Sequence, residues 1–140
     1  MCLYNEIVFF RNIFFKIRNT TKSKLENYVR AWEKADIDGL LALLREDATF
    51  SMPPIPSWYQ GRAEIGALTG KTVFGGDAAG RWRLIPTRAN GQIAFGLYRV
   101  DEGYGIQVLT FRGGKIADVT TFRNPNLMGY FQLLQSENRE

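Results

Sequence analysis

From position 23 the apolar residues fall three and four apart: Leu25, Tyr28, Val29 and Trp32. That is the spacing of a helix with one buried stripe, and Ser23 stands where a capping side chain would. Asp36 is placed to cap a second helix whose stripe is Ile37, Leu40, Leu41 and Leu44. Ala48–Met52 reads as a short strand stopped by Pro53 and Pro54. The PPIPS stretch then runs as a loop over the sheet end, because proline donates nothing to a ladder. Trp58 and Tyr59 lead to Gly61, and Arg62 to about Thr69 forms a third helix. Gly70–Gly80, with four glycines, is a flexible connection.

The pattern then shortens to period two. Arg81–Arg88, Gln92–Val100, Tyr104–Arg112 and Lys115–Asn124 read as strands. They are joined by Ala89-Asn90-Gly91, Asp101-Glu102-Gly103 and Gly113-Gly114, all turn-competent. Tight turns at regular intervals predict an antiparallel meander, so helices first and strands last give an α+β layout, a curved sheet over helices. Such a sheet leaves an open end that becomes a pocket. Alternation puts Gln107, Leu109 and Phe111 on one face and Ile106, Val108 and Thr110 on the other. On the last strand, Val119 and Thr121 oppose Asp118 and Thr120. Both faces are partly apolar, which a homodimer covering the outer face would explain.

Three stretches follow: residues 1–22 as an extension, 23–134 as the domain and 135–140 as a tail. In the extension, Ile7, Phe10, Phe14 and Ile17 keep helical spacing, predicting a helix that packs on the domain or a partner. An interfacial membrane helix is the sharper alternative. Glu6, Arg11 and Lys16 break the apolar run, so it neither spans a bilayer nor reads as a signal peptide.

Charge narrows the partners. The formal net charge is +4, and residues 1–30 carry all of it, six basic against two acidic. The remainder of the chain holds twelve of each, which argues against a nucleic-acid face. One cysteine, Cys2, excludes an internal disulfide and suits the cytoplasm. The absence of histidine removes histidine-type zinc sites and Ser–His–Asp hydrolysis, leaving proton transfer to a carboxylate, tyrosine, lysine or water. Nothing in the composition asks for a cofactor or a metal.

The run YVRAWEKADIDGLLALLREDATFSMPPIPSWYQG, Tyr28 to Gly61, resembles the ketosteroid isomerase and SnoaL-like branch of the NTF2-like fold. The likeness extends through LTFRGGKIADVTTF and covers roughly residues 24–131. ATFSMPPIPSWYQGR, PTRANGQIAFGLYR and FRNPNLM are closer still to the SnoaL-like domain at the C-terminus of some extracytoplasmic-function sigma factors. No sigma-factor DNA-binding helices accompany it, and single-domain proteins of this kind also occur on mobile gene cassettes. The resemblance implies a cone-shaped α+β domain that dimerises through its sheet. It puts the isomerases' donor tyrosine on Tyr28 and their second oxyanion donor on Gln107. Their proton-shuttling aspartate falls on Met52, whose thioether takes no proton, so that route is closed.

Met52, Trp58 and Tyr59 are expected at the pocket mouth, with Tyr98 and Thr121 adding polar groups to the wall. Asp47 is read as a helix-end and strand-start charge, not a base. The expected ligand is an apolar molecule with a carbonyl or hydroxyl, handled by an isomerase or cyclase type of chemistry if turned over at all. A regulatory or protein-interaction module, with Asn124-Pro125-Asn126 and a C-terminal helix touching the partner, is the first alternative. Epoxide hydrolase-like chemistry is the second. Arg99 and Asp101 have its Arg-x-Asp spacing, but alignment on Phe95 shifts the pair to Tyr98 and Val100 and the third carboxylate to Thr121.

Overall fold

The structure, a computed structural model, describes residues 19–131 apart from positions 90 and 101. The extension helix through Phe14, the tail and Asp101 of the Arg-x-Asp pair lie outside the described residues. Helix α1 spans Asn19–Lys34 and α2 Ile37–Leu43, followed without a turn by strand β1, Leu44–Ser51. Then come β2, Trp58–Gln60, and helix α3, Arg62–Lys71. The meander β3 Trp82–Ala89, β4 Gln92–Arg99, β5 Glu102–Arg112 and β6 Lys115–Phe122 leads to a 3₁₀ turn, Pro125–Phe131.

The six strands form one sheet in the order β2-β1-β6-β5-β4-β3. All neighbours are antiparallel except β1 and β6, whose parallel pairing brings the first strand beside the last. The helices cover one face. On α1, Leu25, Tyr28 and Trp32 of the predicted stripe are buried, Val29 is half-buried at its edge and Ala31 joins them; they meet Phe50, Trp82, Leu84, Phe95, Leu97, Leu109 and Val119 from the strands. Trp32 is clamped edge-on between Phe74 and Trp82, at centroid distances of 4.9 and 5.4 Å. Asp36 caps α2 as its position foretold, accepting from Gly39 N–H at 3.0 Å. The Arg62 guanidinium ties α3 to the start of β1 by donating twice to the Leu44 carbonyl, at 3.1 and 2.9 Å.

Four boundaries depart from the pattern. α1 begins at Asn19, which puts Ser23 inside the helix instead of at its cap. β1 begins at Leu44, which pairs in parallel with Ile116; the register shifts before Thr49 meets Asp118, and the polar Arg45–Asp47 stretch runs extended across that shift. Trp58–Gln60, read as a lead-in to Gly61, is a strand that pairs with β1, Tyr59 opposite Phe50. β5 begins at Glu102, the chain turning at Val100 with a left-handed φ of 50°. Among the described residues no helix is long and apolar enough to cross a membrane.

Candidate functional site

Tyr28, in the middle of α1, and Gln107, in the middle of β5, both have no solvent exposure, and Thr121 on β6 is 2 % exposed. The three join across the interior. The Tyr28 hydroxyl donates to Gln107 Oε1, and Gln107 Nε2 donates to Thr121 Oγ1 at 3.0 Å. Phe95 lies against the Tyr28 ring, its centroid 5.8 Å away and its plane tilted 24°. A short polar chain thus runs from helix to sheet through an apolar interior, the arrangement in which each hydrogen bond matters most.

The register explains how Gln107 reaches Thr121. The Gly113-Gly114 hairpin pairs Arg112 with Lys115 and Phe111 with Ile116. A bulge then absorbs one residue of β6, so Thr110 faces Asp118 and Gln107 faces Thr121. Without it, Gln107 would stand opposite Thr120. The bulge turns Val119 and Thr121 to the helices and leaves Asp118 and Thr120 on the opposite face.

Burial pushes the Tyr28 hydroxyl far above the ordinary tyrosine range, so it stays neutral. The Trp32 indole, one helical turn on, acts in the opposite direction. It is near enough to favour an ionised tyrosine but makes no hydrogen bond of normal geometry, and Trp32 Nε1 is buried without a partner.

The remaining expected residues are dispersed. Met52 follows β1 and, with Tyr59, packs half-buried against the helix-side core. Trp58 is 60 % exposed. Tyr98 is buried, but on the far side of β4, in a second cluster with Ala89, Ala94 and Ile106. The structure therefore joins Tyr28, Gln107 and Thr121 and leaves Trp58 and Tyr98 apart from them. Trp32 was legible as core, but nothing in the sequence marked its indole as unsatisfied.

No described Asp or Glu is fully buried. Asp47 is exposed and paired with Arg45 at 3.0 Å; that hydrogen bond and the guanidinium charge hold its carboxyl below the usual range. Asp118, half-buried on the outer face, accepts from the Thr49 hydroxyl and from Thr120 Oγ1. It opens on a groove of about 350 Å³ lined by Ile106, Val108, Thr120, Phe122 and Leu127 among others. Arg99 lies over the Trp82 ring, 5.5 Å from its centroid. The arrangement can hold a polar atom inside an apolar interior; it puts no described carboxylate beside that atom.

A family model for the SnoaL-like domain matches residues 25–119. ECF RNA polymerase sigma factor SigG of Mycobacterium tuberculosis is 33% identical over 116 residues, which cover 80% of this chain. They cover 31% of SigG, so the chain spans about a third of that relative's length. A Kribbella flavida protein provisionally named a ketosteroid isomerase superposes with a TM-score of 0.57 at 25% identity, over 75% of this chain and 78% of its own. A Xanthomonas campestris protein provisionally named a polyketide cyclase gives 0.54 at 19% identity, over 82% and 96%, a likeness of fold alone.

Proposed function

Because the chain belongs to the SnoaL-like family, we propose that it binds an apolar small molecule through one carbonyl or hydroxyl oxygen, on the helix side of the sheet. Tyr28 and Gln107 form the polar handle, with Thr121 behind them and Met52 and Tyr59 toward the open end. The observation that carries this reading is the fully buried Tyr28–Gln107–Thr121 chain, three polar side chains from three elements inside an apolar core. Isomerase or cyclase chemistry would suit the likeness to the isomerase and cyclase folds. It would require a base other than Met52.

Calorimetric titration with flat ketones and phenols tests the proposal. Tyr28→Phe and Gln107→Ala are expected to weaken every ligand found by about fivefold or more, the loss of one hydrogen bond. Unchanged affinities in both variants would refute the handle.

A second reading, an interaction module, has two observations in its favour: the likeness to SigG and the open groove on the outer face. There the partner we propose is a second copy of this chain, seated over Ile106, Val108 and Phe122, the last 38 % exposed. Light scattering reads it directly. Phe122→Asp is expected to convert a dimer to a monomer, and a wild-type monomer at 100-fold varied concentration would exclude it.

A further inference from the structure

We propose that the indole N–H of Trp32 is the donor that receives a ligand's oxygen, and that this oxygen belongs to an uncharged carbonyl. The inference rests on the ligand-binding reading above and adds to it the donor and the acceptor class.

Two tryptophans share the helix-side core and are treated differently. Trp82 Nε1 donates to the Val73 carbonyl at 2.7 Å, so the fold satisfies an indole where the indole is only structural. Trp32, 1 % exposed and touching Trp82 edge-on, has no hydrogen-bond partner for its Nε1. An unmade bond at a buried N–H carries the full desolvation cost of that group. A ligand acceptor would relieve it, so what the free protein loses becomes affinity in the complex.

Position and hydrogen-bond inventory point to the same donor. Trp32 sits four residues after Tyr28, on the same face of α1, with ring centroids 6.4 Å apart. The Tyr28 hydroxyl has one hydrogen and gives it to Gln107 Oε1; one amide hydrogen of Gln107 goes to Thr121. To serve a ligand the Tyr28 hydrogen must be handed over from Gln107, whereas the Trp32 N–H, close to the Tyr28 hydroxyl but in no hydrogen bond of normal geometry, has no such bond to give up.

The acceptor class follows from charge. Among the described residues the one fully buried cation is Arg83. It lies opposite Tyr98 in the β3–β4 register, on the outer face with the second cluster. Arg99 shares the face of Trp82 but is exposed and lies over that ring, 5.5 Å from its centroid. A carboxylate or phenolate beside Trp32 would therefore be an anion in an apolar interior without a buried cation facing it, which is strongly unfavourable. A ketone asks only for a donor.

The test compares 2-acetylnaphthalene with 2-ethylnaphthalene, the same body without the oxygen, on wild type, Trp32→Phe and Tyr28→Phe. We expect wild type to favour the ketone, and Trp32→Phe to reduce that preference by about fivefold while leaving the hydrocarbon's affinity nearly unchanged. In the ¹H–¹⁵N spectrum of wild type, the Trp32 indole proton should move downfield with the ketone and not with the hydrocarbon. That resonance decides the question if Trp32→Phe does not fold. Ketone binding that Tyr28→Phe weakens, with Trp32→Phe and the indole resonance both indifferent, would overturn the assignment to Trp32 and leave the ligand site standing. Failure of wild type to bind the ketone at its solubility limit would overturn both.

Discussion

Removing the hydroxyl of Tyr28 tests whether the buried polar chain behaves as one unit. Tyr28→Phe keeps the ring and its contact with Phe95 but leaves Gln107 Oε1 bare at a site with no solvent exposure. An unpaired buried acceptor costs about 1–3 kcal/mol. Gln107→Leu, near in volume, leaves the Tyr28 hydroxyl bare instead and should cost a similar amount. The Thr121 hydroxyl loses the N–H it accepts in the Gln107→Leu and double variants alike, so that loss cancels in the cycle. In the double variant both polar ends are gone and a phenyl ring meets an isobutyl group. Replacing both partners by apolar groups is close to neutral, so the double variant should be more stable than the sum of the single losses predicts. The coupling should be about 1–2 kcal/mol. Urea unfolding at pH 7, followed by tryptophan fluorescence with the m-value checked for constancy, measures all four corners of the cycle. Additivity within about 0.5 kcal/mol, or a Tyr28→Phe variant as stable as wild type, would show that the two side chains do not depend on each other.

Three further outcomes are expected. Burial raises the folded-state pKa of Tyr28 above its unfolded value near 10, so the unfolded chain releases this proton first. Its contribution is therefore intact below about pH 10 and declines above it by up to roughly 1.4 kcal/mol per pH unit. Stability curves from pH 9 to 11.5 should fall more steeply for wild type than for Tyr28→Phe, and parallel curves would contradict this. Asp36→Ala should cost about 1 kcal/mol in urea unfolding by uncapping α2, and a change below about 0.3 kcal/mol would mean the cap is idle. Gly105→Ala would put a Cβ 2.1 Å from the Phe122 carbonyl oxygen, so β5 and β6 must part. A loss of about 3 kcal/mol or more is expected by thermal or urea unfolding, and a variant of wild-type stability would mean that the strands do not approach so closely.

Much of the fold was legible because its signals are local. The stripe of Leu25, Tyr28 and Trp32, the Asp36 cap and the two-glycine hairpin each specify their element within a few residues. What escaped depends on partners far along the chain. Arg45–Asp47 has no strand pattern and is extended between two separate pairings of β1 with β6, at Leu44 and from Thr49 on, and Trp58–Gln60 is too short to show any period. The site divides the same way. Resemblance named Tyr28 and Gln107, and alternation put Gln107 on the face of Leu109. The bond from Gln107 to Thr121, however, depends on a bulge no sequence pattern announced. Trp58 and Tyr98 look like pocket residues in sequence because both are amphipathic aromatics. Their sheet positions put one at the exposed end of the short β2 and the other in the second cluster. Trp32 was read correctly as core, and periodicity cannot tell a satisfied indole from an unsatisfied one.

A crystal structure of the chain grown with 2-acetylnaphthalene would test most directly whether the helix side of the sheet receives a ligand oxygen. The ketone's oxygen should stand about 3 Å from a donor nitrogen or hydroxyl of the group formed by Trp32, Tyr28 and Gln107, with the rings among Phe74, Trp82 and Phe95. Ketone density in the groove beside Asp118 and Phe122, or a helix-side core closed and unchanged at saturating ketone, would contradict it.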